Sequence, residues 1–97
     1  MSKGYWVVRA NVFDKEKYSE YINLATDIIK KFDGKFIVRG GIHTEFEKSG
    51  YSRTVVVEFH SYQVALDCYN SRDYQSALKF VKNSSERLVA IVEGINL

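Results

Sequence analysis

Two periodicities alternate along the chain. Tyr5 to Val12 is an aromatic and β-branched run and predicts a strand. Beyond it the spacing changes: Tyr18, Tyr21, Ile22, Ala25, Ile28, Ile29 and Phe32 recur every three or four positions and draw one apolar stripe along a helix. Asp14 stands where the N-cap belongs, Glu16 lies near the positive end of the helix dipole, and Lys30 and Lys31 occupy the last turn. Gly34 is read as the left-handed residue that closes this helix. Lys35 to Arg39 predicts a second strand, with Gly40-Gly41 as a bulge or bend after which Ile42, Thr44 and Phe46 resume the alternation. Lys48-Ser49-Gly50 has turn chemistry, and Tyr51 to Phe59 returns as a third strand. Tyr62, Ala65, Leu66 and Tyr69 then form one helical stripe, and Tyr74, Ala77, Leu78 and Val81 another. Ser71 is the N-cap between them, with Asp73 in the first turn. Arg87 to Val92 is the last strand, closed by Glu93-Gly94.

The resulting order, β-α-β-β-α-β, is the split βαβ pattern of α+β, ferredoxin-like folds: a four-stranded antiparallel sheet with its helices on one face. Residues 1–97 form a single such domain, with no repeat or linker to divide them. A sheet with one wet face alternates apolar and polar residues. Here Tyr5-Trp6-Val7-Val8, Val55-Val56-Val57 and Leu88-Val89-Ala90-Ile91-Val92 are apolar on both faces. Two helices cover only one of them, so the expected cover of the other is a second copy, sheet to sheet, in a homodimer.

Composition narrows the functional classes. The 97 residues carry a net charge of +2 with the lysines scattered, which gives no footprint for nucleic acid or an anionic membrane. One cysteine, Cys68, excludes an internal disulfide framework and suits a reducing compartment. Neither a membrane span nor a signal peptide is visible, so the expected location is cytoplasmic. Arg53 to Phe59 (R-T-V-V-V-E-F) has the rhythm of the RNA-binding signature of RNA-recognition motifs, but Val55 and Val57 stand where rings must stack on bases, and no nucleic-acid partner is expected.

Glu58 is the main candidate for chemistry, because a carboxylate inside a β-branched strand needs a partner or a purpose. If the turn centres on Lys48-Ser49, Arg39 lies directly opposite and forms a cross-strand pair with it. A bulge at Gly40-Gly41 or a longer turn separates them. The pair reads either as a structural staple or as a site, with Arg39 an anion clamp and Glu58 a base or orienting group. Arg9 faces the same choice. Tyr69, Tyr74 and Gln75 cluster at the helix break, where Ser71 opens a helix, and read as core tyrosines or as a pocket rim. His43 and His60 have no ligand at metal spacing, so neither a metal nor a haem is expected. Cys68 reads as a small buried hydrophobe.

Six motifs occur in order: G-Y-W (Gly4 to Trp6), R-G-G (Arg39 to Gly41), T-V-V-V-E-F (Thr54 to Phe59), S-Y-x-x-A (Ser61, Tyr62, Ala65), Y-N-S-x-x-Y-Q (Tyr69 to Gln75) and V-E-G (Val92 to Gly94). Together they resemble the domain of unknown function 1330 family of the dimeric α/β-barrel group over nearly the whole chain. The resemblance implies a ferredoxin-like protomer, a sheet-to-sheet dimer and a cytoplasmic bacterial protein. Its motif positions point to Glu58 as a catalytic candidate and to Arg39, Tyr69, Ser71, Tyr74 and Gln75 as ligand-binding candidates. Phe80 to Glu86 departs from the arginine-containing stretch expected there. The wider group includes monooxygenases and muconolactone-isomerase-like proteins, and none of their catalytic patterns maps onto this chain. The expected function is binding of a small polar or anionic metabolite by a homodimer, without a cofactor. The alternatives are a cofactor-free isomerase-like or monooxygenase-like enzyme using Glu58 and Arg39, or a purely structural Arg39–Glu58 pair.

Overall fold

A computed structural model describes residues 2–96. The elements are β1 (Gly4–Val12), α1 (Lys15–Lys31), β2 (Lys35–Arg39), β3 (Arg53–Phe59), α2 (Tyr62–Asn70), α3 (Arg72–Ala77), α4 (Lys79–Lys82) and β4 (Ser85–Glu93). The strands form one antiparallel sheet in the order β2-β3-β1-β4. The expected β-α-β-β-α-β order is therefore present, with the second helix broken into three pieces.

β1 sets the two faces. Gly4, Trp6, Val8 and Ala10 are buried, whereas Tyr5, Val7, Arg9 and Asn11 point the other way. Trp6 is the hub of the core: its ring packs on Phe59, Tyr69 and Tyr74 at centroid distances of 5.2, 5.7 and 4.8 Å. Its indole N–H donates to the Ala65 carbonyl at 2.9 Å, so the buried polar tip of the ring is satisfied. Helix α1 places Tyr18, Tyr21, Ala25, Ile28 and Ile29 against this face, as its stripe predicts.

The cap of α1 differs from expectation at its C-terminal end. Asp14 accepts from the Lys17 N–H as an N-cap should, but the left-handed residue is Asp33 (φ 57), not Gly34. Asp33 N–H bonds to the Lys30 carbonyl and Gly34 N–H to the Ile29 carbonyl, the two-bond pattern of a Schellman motif. Gly34 is glycine for want of space: a Cβ there would lie 2.5 Å from Ile29 Cγ2 and 2.7 Å from the Phe59 ring.

Strand β2 ends at Arg39, and residues 40–52 form an irregular connection rather than a resumed strand. Ile42 and Phe46, expected to lie on one face of a resumed strand, are 106% and 91% exposed. Arg9 holds this connection from the open face of the sheet. It binds the Glu45 carboxylate at 2.8 Å, donates to the Glu47 and Lys48 carbonyls, and lies over the Tyr51 ring. For Arg9 the structural reading is thus the one the contacts favour. The bulge falls at Ile37, where the register shifts between Phe36 opposite Val57 and Val38 opposite Val56.

Substituting Gly34→Ala forces a methyl into the α1–β3 contact and is expected to destabilise the fold by about 1–3 kcal/mol. Asp33→Gly, which relieves a left-handed non-glycine residue, is expected to be neutral or stabilising. Urea denaturation of the two variants checks both signs, and the opposite pair of signs would restore Gly34 as the left-handed position.

Candidate functional site

Strand pairing gathers arginines on the helix-facing side. Ala10 pairs with Arg53 on β3 and with Arg87 on β4, so the two arginines flank a residue with almost no side chain. Directly paired residues share a face. Ala10 is fully buried, which puts both guanidiniums beneath α1. Arg39 joins them because of the bulge at Ile37: it pairs with Val55, a helix-facing residue. Without the extra residue the parity would flip and Arg39 would point to the open face.

The three arginines line a cavity of about 30 Å³ between α1 and the sheet, walled by Trp6, Tyr18, Tyr21 and Phe36 among others. Among the described residues no lining side chain is acidic, and none of the three arginines is in a salt bridge. Arg39 stacks over the Phe36 ring at 4.0 Å and donates to the Thr26 hydroxyl at 2.6 Å. Arg87 donates to the hydroxyl oxygens of Tyr21 (3.0 Å) and Tyr74 (3.4 Å), which share a hydrogen bond of 2.5 Å. The Nε of Arg53 is buried without any partner. An open groove of about 340 Å³ adjoins this cavity, sharing Tyr18, Ile22 and Arg53 with it and bringing in Val12, Lys15, Ser19 and Ser52.

Burial sets the protonation of the tyrosines. Tyr21 and Tyr74 are raised above the usual phenol value by desolvation, with Arg87 opposing the shift in both. Both hydroxyls are neutral donors at ordinary pH. Burial works against the charge on Arg87, but its contacts with Tyr21 and Tyr74 hold its pKa above the usual value.

The sequence candidates scatter. Arg39 does not face Glu58: Lys35 is opposite Glu58, while Arg39 is opposite Val55 and projects from the other face of the sheet than Glu58, because the turn is long and the bulge lies at Ile37. Glu58 shares the open face with Tyr5, whose hydroxyl donates to it at 3.1 Å, and with the Lys3 ammonium at 3.7 Å. That hydrogen bond, with burial and the carboxylate charge behind it, raises the Tyr5 hydroxyl above its usual value. Tyr74 does reach the arginine cluster, and Tyr69 packs on Tyr74 and Trp6. Ser71 accepts from the Tyr74 N–H and donates to the Cys68 carbonyl, and Gln75 donates to the Tyr69 carbonyl. These bonds brace the helix break and leave both side chains locally committed. His43 is bonded to the Thr54 hydroxyl, and His60 is exposed. Val55 and Val57 face the helices, so the open-face residues of β3 are Thr54, Val56 and Glu58. Arg53, Arg87 and Tyr21, the heart of the cluster, were not singled out from the sequence. The signal was parity: Arg53 keeps step with Val55, Val57 and Phe59, and Arg87 with Val89 and Ile91, all on the side of the sheet that faces the helices.

Comparison with known proteins adds kinship. The model of a family described as "Domain of unknown function (DUF1330)" matches residues 3–95. No curated protein matches the chain. Among solved structures, the RPA0582 protein of unknown function from Rhodopseudomonas palustris is 10% identical, with 99% of this chain and 85% of that one covered at a TM-score of 0.75. SnoaB, a cofactor-independent oxygenase from Streptomyces nogalater, is 7% identical, with 100% and 97% covered at 0.70. A dimeric ferredoxin-like protein of unknown function from Jannaschia sp. CCS1 is 14% identical, with 95% and 99% covered at 0.63. At such identities the likeness is one of fold.

The buried ionisable groups generate a pH prediction. Burial pushes the Cys68 thiol from 9.0 up to about 12. A raised folded pKa means that the unfolded chain loses its proton first, so the stability is whole below the unfolded value and declines as pH climbs toward the folded one. Urea midpoints are therefore expected to fall from about pH 9 toward 12, with Tyr21 and Tyr74 adding to the loss above their usual value of 10.0. In Cys68→Ala the part of the decline that begins near pH 9 is expected to disappear.

Proposed function

The chain belongs to the family described as Domain of unknown function (DUF1330), a membership that brings no reaction with it, and on that premise we propose that it binds a small anionic metabolite as a homodimer. One observation carries the reading: three arginines line one cavity that has no carboxylate among its described lining residues. Arg39 is exposed, but Arg53 and Arg87 are partly buried, and cations drawn out of water without counter-charges are costly unless an opposite charge of good geometry repays them. Tyr21 and Tyr74 satisfy Arg87 with neutral oxygens, which leaves the charge itself unmatched. An anion entering along the groove beside Lys15 supplies the match.

The open face supports the dimer. Val7, Val38, Leu88 and Val92 are 38 to 47% exposed there, with Val56 and Ala90 between them, and water gains nothing from such a surface. Solved structures of the same fold are described as dimeric ferredoxin-like proteins. A second copy packed sheet to sheet buries this face and leaves the arginine cavity, on the other side, free for ligand. The cavity belongs to a binding protein more naturally than to an enzyme that uses Glu58 as its base, since Glu58 lies across the sheet from the arginines. The oxygenase activity of SnoaB is that protein's own.

Two measurements test these readings. In a thermal-shift screen with inorganic phosphate, benzoate and short-chain carboxylates, at least one anion at a hundred times its Kd is expected to stabilise the protein by about 2.7 kcal/mol. Arg53→Gln is expected to erase that shift; an unchanged shift in the variant places the anion elsewhere. Light scattering at micromolar concentration is expected to return twice the 11.2 kDa protomer mass, and Val56→Lys on the open face to return the protomer mass. A wild-type protein that stays at 11.2 kDa rejects the dimer.

A further inference from the structure

The donors and acceptors of the cavity do not balance, and the imbalance specifies the head group of the ligand. Arg53 offers a buried Nε–H with no partner. The Thr26 hydroxyl accepts from Arg39 and donates to the Ile22 carbonyl, so it is committed. Tyr21 and Tyr74 each accept from Arg87 and share one hydrogen bond between them. Two phenols joined by one bond have one proton left over. Tyr74 is 1% exposed and sits behind the wall, whereas Tyr21 lines the cavity. The arrangement that leaves no proton stranded in the core has Tyr74 donating to Tyr21 and Tyr21 donating into the cavity. Apart from the Tyr18 hydroxyl, which can donate or accept, every free polar group there is then a donor. A cationic amine meets three guanidiniums and no carboxylate among the described lining residues, and an alcohol satisfies the site only in part.

Size narrows the choice further. About 30 Å³ is room for about two water-sized atoms, since one water needs about 10–15 Å³ of such space. Two oxygens on one carbon fill that space; the further oxygens of a tetrahedral phosphate would have to lie in the adjoining groove. The rest of the ligand has the neighbouring groove of about 340 Å³, whose walls include Val12 and Ile22.

We propose that the cavity takes the carboxylate of a small organic acid, with Arg53 and the Tyr21 hydroxyl as donors to its two oxygens and its apolar body along α1. This rests on the anion-binding reading above and names the class of anion. The test is calorimetric titration with two matched pairs, benzoate with phenyl phosphate and hexanoate with hexyl phosphate. In at least one pair the carboxylate is expected to bind at least tenfold more tightly than the phosphate. Tyr21→Phe is expected to weaken the carboxylate about tenfold, the worth of one hydrogen bond to a charged group. Tyr74→Phe, which leaves the Tyr21 hydroxyl in place, is expected to weaken it less than threefold, and the melting temperatures of both unliganded variants show that they fold. If the phosphates bind as tightly and Arg53→Gln abolishes both, the anion site stands and the carboxylate assignment falls. If Tyr74→Phe costs as much as Tyr21→Phe, Tyr21 is not the donor. If none of the four compounds binds, both this inference and the anion reading fall.

Discussion

The burial of Trp6 is the interaction on which the rest of the structure depends. Its ring fills the space between β3 and the broken second helix, and its indole N–H closes on the Ala65 carbonyl. That contact fixes which parity of β1 faces the helices, because a residue and its second neighbour share a face. Once Trp6 is inside, Ala10 is inside. The antiparallel ladders then carry Arg53 and Arg87 in beside it. A slip of one residue in one ladder would send that strand's apolar residues and its arginine to the open face. Core packing and the cationic cavity are therefore consequences of one choice of parity.

The cavity is a compromise between packing and charge. A sheet face that buried only Trp6, Val8, Val57 and Phe59 would be more stable without arginines at its end, since apolar substitutes of similar volume often match or exceed buried ions. The fold keeps them by partial measures. Arg39 lies on the Phe36 ring and Arg87 is bonded to two phenols. The least provided for is Arg53, which lines both the cavity and the open groove and has a buried Nε without a partner among the described residues. The opposite face settles its charges locally: Arg9 is bound by Glu45 and the loop carbonyls, and Glu58 by Tyr5 and Lys3. Charge is unmatched on one face and apolar surface is unmatched on the other, so the proposed ligand and the proposed second copy would occupy separate places.

Much of the fold was legible in the residue pattern. The α1 stripe from Tyr18 to Ile29, the cores of the four strands and the N-caps at Asp14 and Ser71 lie where local chemistry puts them. The site was less legible. Glu58 drew attention as a charge in an apolar strand, yet its environment is the half-open face, where a phenol and a lysine meet it. Arg53 and Arg87 stand near strand ends, where nothing local signals burial. Only counting their step against Val57 and Ile91 marks them as inward-facing.

The sequence by itself determined the order of elements, the apolar character of both sheet faces and the N-caps at Asp14 and Ser71, because each rests on residues close together in the chain. Tertiary structure alone decided the register. The single extra residue at Ile37 is set by how β2 meets β3 across a long irregular connection, and no local pattern announces it. That residue moved Arg39 away from Glu58 and in among Arg53, Arg87 and Tyr21. The cavity is made of side chains from five separate elements, and its chemistry exists only once pairing has brought them together.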